Sequence, residues 1–119
     1  MIKTNQIKPE YYFQEGCFIT EYLNTADDEN VSVARARVVA HSATRSHHLI
    51  NTRERYVILQ GQGIVTINGK RMDVKSGDII SIDAGVSQSI ENPIAEELVF
   101  LVICTPRFTP ECYVEEDSR

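Results

Sequence analysis

The chain has 119 residues, 42% of them hydrophobic and 24% charged, and its 12 basic and 17 acidic side chains leave a net charge of −5. That length suits one globular domain over 1–119, with enough core to fold without disulfide staples. The acidic balance repels phosphate backbones and anionic lipid, and the longest apolar run, at 98–104, is far short of the ~20 residues of a membrane-spanning helix, so neither nucleic acid nor membrane is an expected partner.

Residues 1–6 carry Lys3 with no apolar stretch behind it, which is not the pattern of a secretory leader, and a cytoplasmic protein is expected. Cys17, Cys104 and Cys112 are odd in number and lack C-x-x-C spacing, which suits a reducing compartment. Cys104 reads as a small buried hydrophobe; a reactive thiol is the alternative, but no base stands near any of the three in sequence.

Short β-type segments recur between turn signals, and no helical period is sustained over three turns. Strands are predicted at 18–23 and 31–40, separated by a polar loop; in the second, Arg35 and Arg37 share one face and Ala34, Ala36 and Val38 the other. A short strand at 46–50 and a clear one at 55–60 follow. Gly61-Gln62-Gly63 turns the chain into 64–67, and Asn68-Gly69 is a strong two-residue hairpin signal leading to a return strand at 70–74. Further strands are expected at 79–82, 88–91 and 97–105, which makes eight to ten at the spacing of a barrel or sandwich. The tail at 106–119 contains Pro106 and Pro110, which oppose a helix; Phe108 and Tyr113 can pack on the barrel, and 114–119 are expected to fray. The expected core is Val38, Ile58, Val65, Ile67, Ile80, Ile82, Phe100 and Val102, the apolar side of each alternation. Residues 57–59 and 98–104 are apolar at both parities, so both faces of those strands need cover. A second copy of the chain, in a two-fold homodimer, supplies it; the N-terminal segment or the tail is the alternative.

His47, Glu54 and Gln88 fall at strand ends beside glycine turns. They form a candidate metal or ligand cluster, or else three ordinary polar residues at strand ends, since no H-x-H or H-E-x-x-H spacing puts two imidazoles on one face. His48 neighbours His47 and so points to the opposite face, unless a bulge turns both inward. His41 reads as a loop residue and Arg45 as a loop charge near the barrel mouth. Arg53 and Arg55 flank Glu54 and point away from it, whereas Tyr56 shares its parity and lines the same interior.

The spacing His47-x6-Glu54-x6-Gly61 resembles the first motif of the cupin superfamily, G-x5-H-x-H-x3or4-E-x6-G. Likewise Gly77-x5-Asp83-x-Gly85-x2-Gln88-x3-Asn92 resembles the second, G-x5-P-x-G-x2-H-x3-N. The motifs occupy 41–61 and 77–92, and the chain is similar to small single-domain microbial cupins. That resemblance implies an all-β double-stranded β-helix, or jelly-roll, barrel. It also implies a divalent ion (Zn, Mn, Fe or Ni) at the family's ligand positions, of which His47 and Glu54 are kept, Leu49 replaces one histidine and Gln88 another. His41 stands at the first glycine and Asp83 at the proline. Gln88 keeps a carbonyl oxygen, a weaker donor than imidazole, so any metal site is weak or altered. Leu49 makes the interior more apolar, and His47, Leu49, Glu54, Tyr56 and Gln88 together suit an organic ligand. The functional expectation is a small-molecule-binding barrel; the alternative is a metal-dependent dioxygenase, isomerase or lyase using a His/Glu/Gln-held ion. Proton transfer between His47 and Glu54 is a third use of the same pocket.

Overall fold

The computed structural model describes residues 8–116, so the expectations for 1–6 and for 117–119 fall outside the described residues. Eleven strands follow in order among them: β1 Tyr11–Phe13, β2 Cys17–Leu23, β3 Ser32–Val38, β4 His47–Leu49, β5 Arg53–Gln60, β6 Gln62–Ile67, β7 Lys70–Lys75, β8 Ile79–Ile82, β9 Gln88–Glu91, β10 Leu98–Thr105 and β11 Tyr113–Glu115. They form two antiparallel sheets, β1-β2-β3-β10-β5-β8 and β11-β4-β9-β6-β7, packed as a double-stranded β-helix. No helix of the described residues is long and apolar enough to cross a membrane.

Most expected strands are present, and β8 and β9 have the expected bounds. At the hairpin, Asn68 and Gly69 both take positive φ, 51° and 83°, joining β6 to β7 with Ile67 opposite Lys70. The turn expected at 61–63 contracts to Gly61, and Gln62 and Gly63 already belong to β6. Gly61 has φ 88°, and a Cβ there would stand 2.5 Å from the Glu97 carbonyl oxygen, so no side chain fits.

Two strands were not expected. β1 pairs with β2 to form an N-terminal hairpin, and β11 pairs with β4. The tail corrects the expectation of fraying for 114–116. Pro110 opens a single 3-10 turn, a place where its missing N–H costs nothing, and the chain then enters β11. Glu116 N–H donates to the Ser46 carbonyl at 3.0 Å, and its carboxylate accepts from Ser87 Oγ and His48 Nδ1, both at 2.7 Å.

The core lies between the sheets. Ala36, Val38, Tyr56, Ile58, Ile80, Ile82 and Phe100 from one meet Val65, Val74 and Ile90 from the other, while Ile67 and Val102 pack half-buried against them. A second apolar cluster, Leu49, Cys104 and Cys112 with Phe108 and Tyr113, sits under the tail. The outward side of the six-stranded sheet is less covered than expected: Leu59 and Ile79 are 47% and 69% exposed, and Val57, Leu101 and Ile103 are half-buried. Glu10 reaches Arg37 at 2.8 Å on the β3 part of this face, while the tail packs at the cleft end instead.

Candidate functional site

The register brings the predicted site residues to one end of the barrel. His47 on β4 pairs with Gln88 on β9, and Glu54 on β5 pairs with Cys104 on β10. All four are buried, as is Tyr56. Alternation explains the choice, since His47 and Leu49 turn inward while His48 between them turns out to Glu116. Arg53 and Arg55 likewise point away from Glu54, to Asp83 at 3.0 Å and Thr105 at 2.8 Å. His41 is exposed, and Arg45 is exposed beside Glu115 at 3.3 Å.

A chain of side-chain hydrogen bonds crosses the interior. The Tyr56 hydroxyl donates to Gln88 Oε1, and Gln88 Nε2 donates to Glu54 Oε1 at 2.6 Å. Among the described residues the other Glu54 oxygen, Oε2, meets only the Cys104 thiol, at 4.0 Å. Burial, reinforced by the charge of Glu15, pushes the Glu54 carboxyl up to about 8, and the Gln88 hydrogen bond pulls it back in part. Glu54 is therefore a neutral acid near pH 7. Burial also raises the Tyr56 hydroxyl and the Cys17 and Cys104 thiols, so neither cysteine is poised as a thiolate. All three cysteines are free and buried.

His47 has a defined tautomer. Its Nδ1 lies 2.8 Å from the Arg45 carbonyl, which can only accept, so Nδ1 carries hydrogen and Nε2 is turned toward Glu15 Oε1, 3.6 Å away. The Tyr113 ring lies against the imidazole, centroids 5.1 Å apart, and the Tyr113 hydroxyl is buried without a partner among the described residues.

Glu54 also forms part of the wall of a cleft of about 60 Å³ that reaches the surface between the N-terminal hairpin and the tail. That space is about the volume of two waters in the liquid. Tyr11, Phe13, Glu15 and Glu21 from the hairpin and Phe108 from the tail line it, and sequence reasoning missed the four hairpin residues. Three consecutive aromatics, Tyr11-Tyr12-Phe13, hide the alternation of β1; the usable signal was Gly16, whose φ of 109° makes the turn that carries Glu15 over the mouth. Of the predicted set, Glu54 alone lines this cleft; His47, Leu49, Tyr56 and Gln88 lie behind it.

As donors for a metal, these residues are committed to one another. Both polar atoms of the Gln88 amide are used within the protein, Glu54 Oε1 accepts from Gln88, and Leu49 offers nothing. Among the described residues, no group of three His, Cys, Asp or Glu side chains is placed to hold an ion. In this arrangement the set does not fit a resident cation.

The family model of the cupin domain matches residues 35–104, and the chain belongs to that family. An uncharacterized protein of Methanocaldococcus jannaschii is 34% identical over 115 residues, 93% of this chain and 91% of that one. The oxalate-binding protein of Thermotoga maritima is 37% identical over 70 residues, 59% of this chain and 58% of its own length. Among solved structures, a predicted oxalate decarboxylase of Thermotoga maritima is similar at 26% identity and TM-score 0.73, over 89% of this chain and 98% of that one. The nucleoside dehydratase Pac13 is similar at TM-score 0.79, over 96% of this chain and 88% of its own; at 14% identity that likeness concerns the fold alone.

Proposed function

We propose that the chain is a small-molecule-binding cupin whose ligand enters the cleft between the N-terminal hairpin and the tail and meets Glu54, with His47, Tyr56 and Gln88 supporting that carboxyl from behind. The observation that carries this reading is the Glu54 carboxyl: buried, aligned by Gln88, and bounded on its free oxygen by a thiol at 4.0 Å. A buried polar atom so weakly satisfied is one that a ligand completes. Relatives named for oxalate support a ligand of few atoms, as does the size of the cleft.

A metal-dependent enzyme is the second reading, favoured by Nε2 of the buried His47 facing the Glu15 carboxylate at 3.6 Å. One titration separates the two. Small polar molecules are added to chelator-treated protein while the ring protons of Phe13 and Phe108 are followed by NMR. Shifts without metal support the binding reading; shifts that require added Mn or Zn support the second.

We also propose a homodimer through the outward side of the six-stranded sheet, where Val57, Leu59, Ile79, Leu101 and Ile103 form one apolar patch. Light scattering should give a dimer mass, and Ile79→Glu should shift it toward monomer. A monomer at all concentrations overturns the assignment.

A further inference from the structure

We propose that the cleft takes a small uncharged molecule, an apolar body carrying a ketone, amide or ester oxygen, and that this oxygen accepts a hydrogen bond from Glu54 Oε2. The proposal rests on the binding reading above and adds the chemical class of the ligand. Most of the wall is apolar. Phe13 and Phe108 meet edge to face, 6.0 Å apart, and Ile19, Leu23 and Val102 add aliphatic surface. A cleft of this composition with one free polar atom suits a ligand that is itself mostly apolar.

The other polar side chains of the wall are bonded within the protein. The Tyr11 hydroxyl donates to Glu21 Oε2 at 2.6 Å, and Glu15 accepts from the Cys17 thiol at 3.2 Å on one oxygen while the other faces His47 at 3.6 Å. Asn24 uses both ends of its amide: Nδ2 donates to the Phe108 carbonyl at 2.9 Å, and Oδ1 accepts from Arg107 at 2.8 Å. Ser32 Oγ accepts from Phe108 N–H at 2.9 Å. Arg107 itself lines a different groove, so its guanidinium meets Asn24 and not the contents of the cleft.

Glu54 Oε2 is what remains. Tyr56 donates to Gln88 Oε1, which turns Gln88 Nε2 toward Glu54 and makes Glu54 Oε1 the accepting oxygen. Glu54 is 7% exposed, and among the described residues its side-chain contacts are Gln88 and Cys104, with no basic group paired to it. A carboxylate buried without a counter-charge is costly, so the carboxyl keeps its hydrogen, and with Oε1 accepting, that hydrogen stands on Oε2. There its neighbour is the Cys104 thiol at 4.0 Å, and a buried donor so placed calls for an acceptor. An uncharged oxygen supplies one. An anion would shed its water to enter a wall with no Lys or Arg among the described residues, and an ammonium brings hydrogens where an acceptor is wanted.

The experiment is an NMR titration of the full chain, in chelator-treated buffer, with three probes of one shape and size: acetone, acetate and isopropylammonium. Acetone should shift the ring protons of Phe13 and Phe108 at concentrations at least tenfold lower than either ion requires. Glu54→Leu, which removes the donor, should weaken acetone about tenfold, and Glu54→Gln, which sets an amide N–H in the place of Oε2, should recover most of that loss, the remaining spectrum reporting the fold of each. Acetate or isopropylammonium binding as tightly as acetone overturns the uncharged class and leaves the cleft as a binding site. Acetone binding equally to the parent and to a folded Glu54→Leu overturns the hydrogen bond from Oε2. The comparison of probes on the parent decides the class even where a variant does not fold. If none of the three moves those rings, both the ligand class and the binding reading fall.

Discussion

Gln88 and Asn92 are both wholly buried, at the start of β9 and just beyond its end, and they are bonded in opposite ways. The Asn92 amide speaks only to backbone: Nδ2 donates to the Val38 and Glu96 carbonyls at 3.0 and 2.9 Å, and Oδ1 accepts from Ile94 N–H at 3.2 Å. Gln88 speaks only to side chains, Tyr56 and Glu54. A buried amide tied to backbone closes a loop and serves the architecture. One tied to ionisable side chains sets their orientation and charge, and it is there that chemistry can be changed without losing the fold.

The contrast is broken most strongly by giving Gln88 a new role. Leu49 packs on Cys104, whose thiol faces Glu54, so Leu49→His together with Gln88→His places two imidazoles near His47 and Glu54 on strands whose register is unchanged. The double variant should bind Zn, Mn or Ni at least 1,000-fold more tightly than the parent, about 4 kcal/mol. Adding His47→Ala should reverse most of that gain. Titration calorimetry on the parent and the double variant, each with and without His47→Ala, decides it; tight binding by the parent that survives His47→Ala would show that the ligand assignment is wrong.

Asn92→Ala tests the architectural side. It removes the partner of the buried Val38 carbonyl and of the less buried Glu96 carbonyl and Ile94 N–H, and the expected loss is about 2 kcal/mol in denaturant unfolding, with little effect on any ligand in the cleft. A loss below about 1 kcal/mol would mean that water replaces the amide, and that backbone bonding does not mark an architectural residue here.

Glu54→Gln sharpens the other side through pH. The folded chain holds a proton on Glu54 up to about pH 8, whereas the unfolded chain releases it near 4.5. Between those values the folded state binds the extra proton, so this group makes stability fall as pH rises from 4.5 to 8 and leaves it level above. Glu54→Gln keeps an oxygen for Gln88 Nε2 and removes the fall. The two proteins should match near pH 4 and diverge by several kcal/mol, on the order of 4, at pH 8, the variant being the more stable. Parallel curves across that range would show Glu54 to be ionised in the folded state.

Local rules read most of this fold and less of its site. Asn68-Gly69 demands positive φ at both residues, and Ile79–Ile82 alternates between exposed and buried positions, so both were legible from neighbours alone. The β1 strand was not, since three adjacent aromatics carry no period and its partner lies across a turn. The β11 strand was hidden behind Pro106 and Pro110, which correctly forbid a long helix but permit one 3-10 turn and a strand. His47, Glu54 and Gln88 were found through motif spacing and do come together. Glu15 and Glu21 were not found, because their place at the mouth is a tertiary consequence of how the hairpin pairs along the edge of β3.

Glu116 tests where the contrast ends. Like Gln88 it is bonded to side chains, Ser87 Oγ and His48 Nδ1, yet it is partly exposed and lies outside the cleft. If side-chain bonding alone marked a site, Glu116→Gln would alter ligand binding. Burial argues otherwise, because solvent screens such pairs and leaves each worth under about 1 kcal/mol. The hydrogen bond from Ser87 and, more weakly, His48 hold the Glu116 carboxyl below its ordinary range. A carboxyl lowered in the folded state adds stability above the unfolded value of 4.5 and loses it as the pH falls through the folded one. Glu116→Gln should therefore cost a few tenths of a kcal/mol at pH 7, by thermal unfolding, and nothing near pH 3, with ligand shifts at Phe13 and Phe108 unchanged. A variant that loses those shifts would place the tail strap, through β11 and the Tyr113 ring on His47, inside the binding machinery rather than beside it.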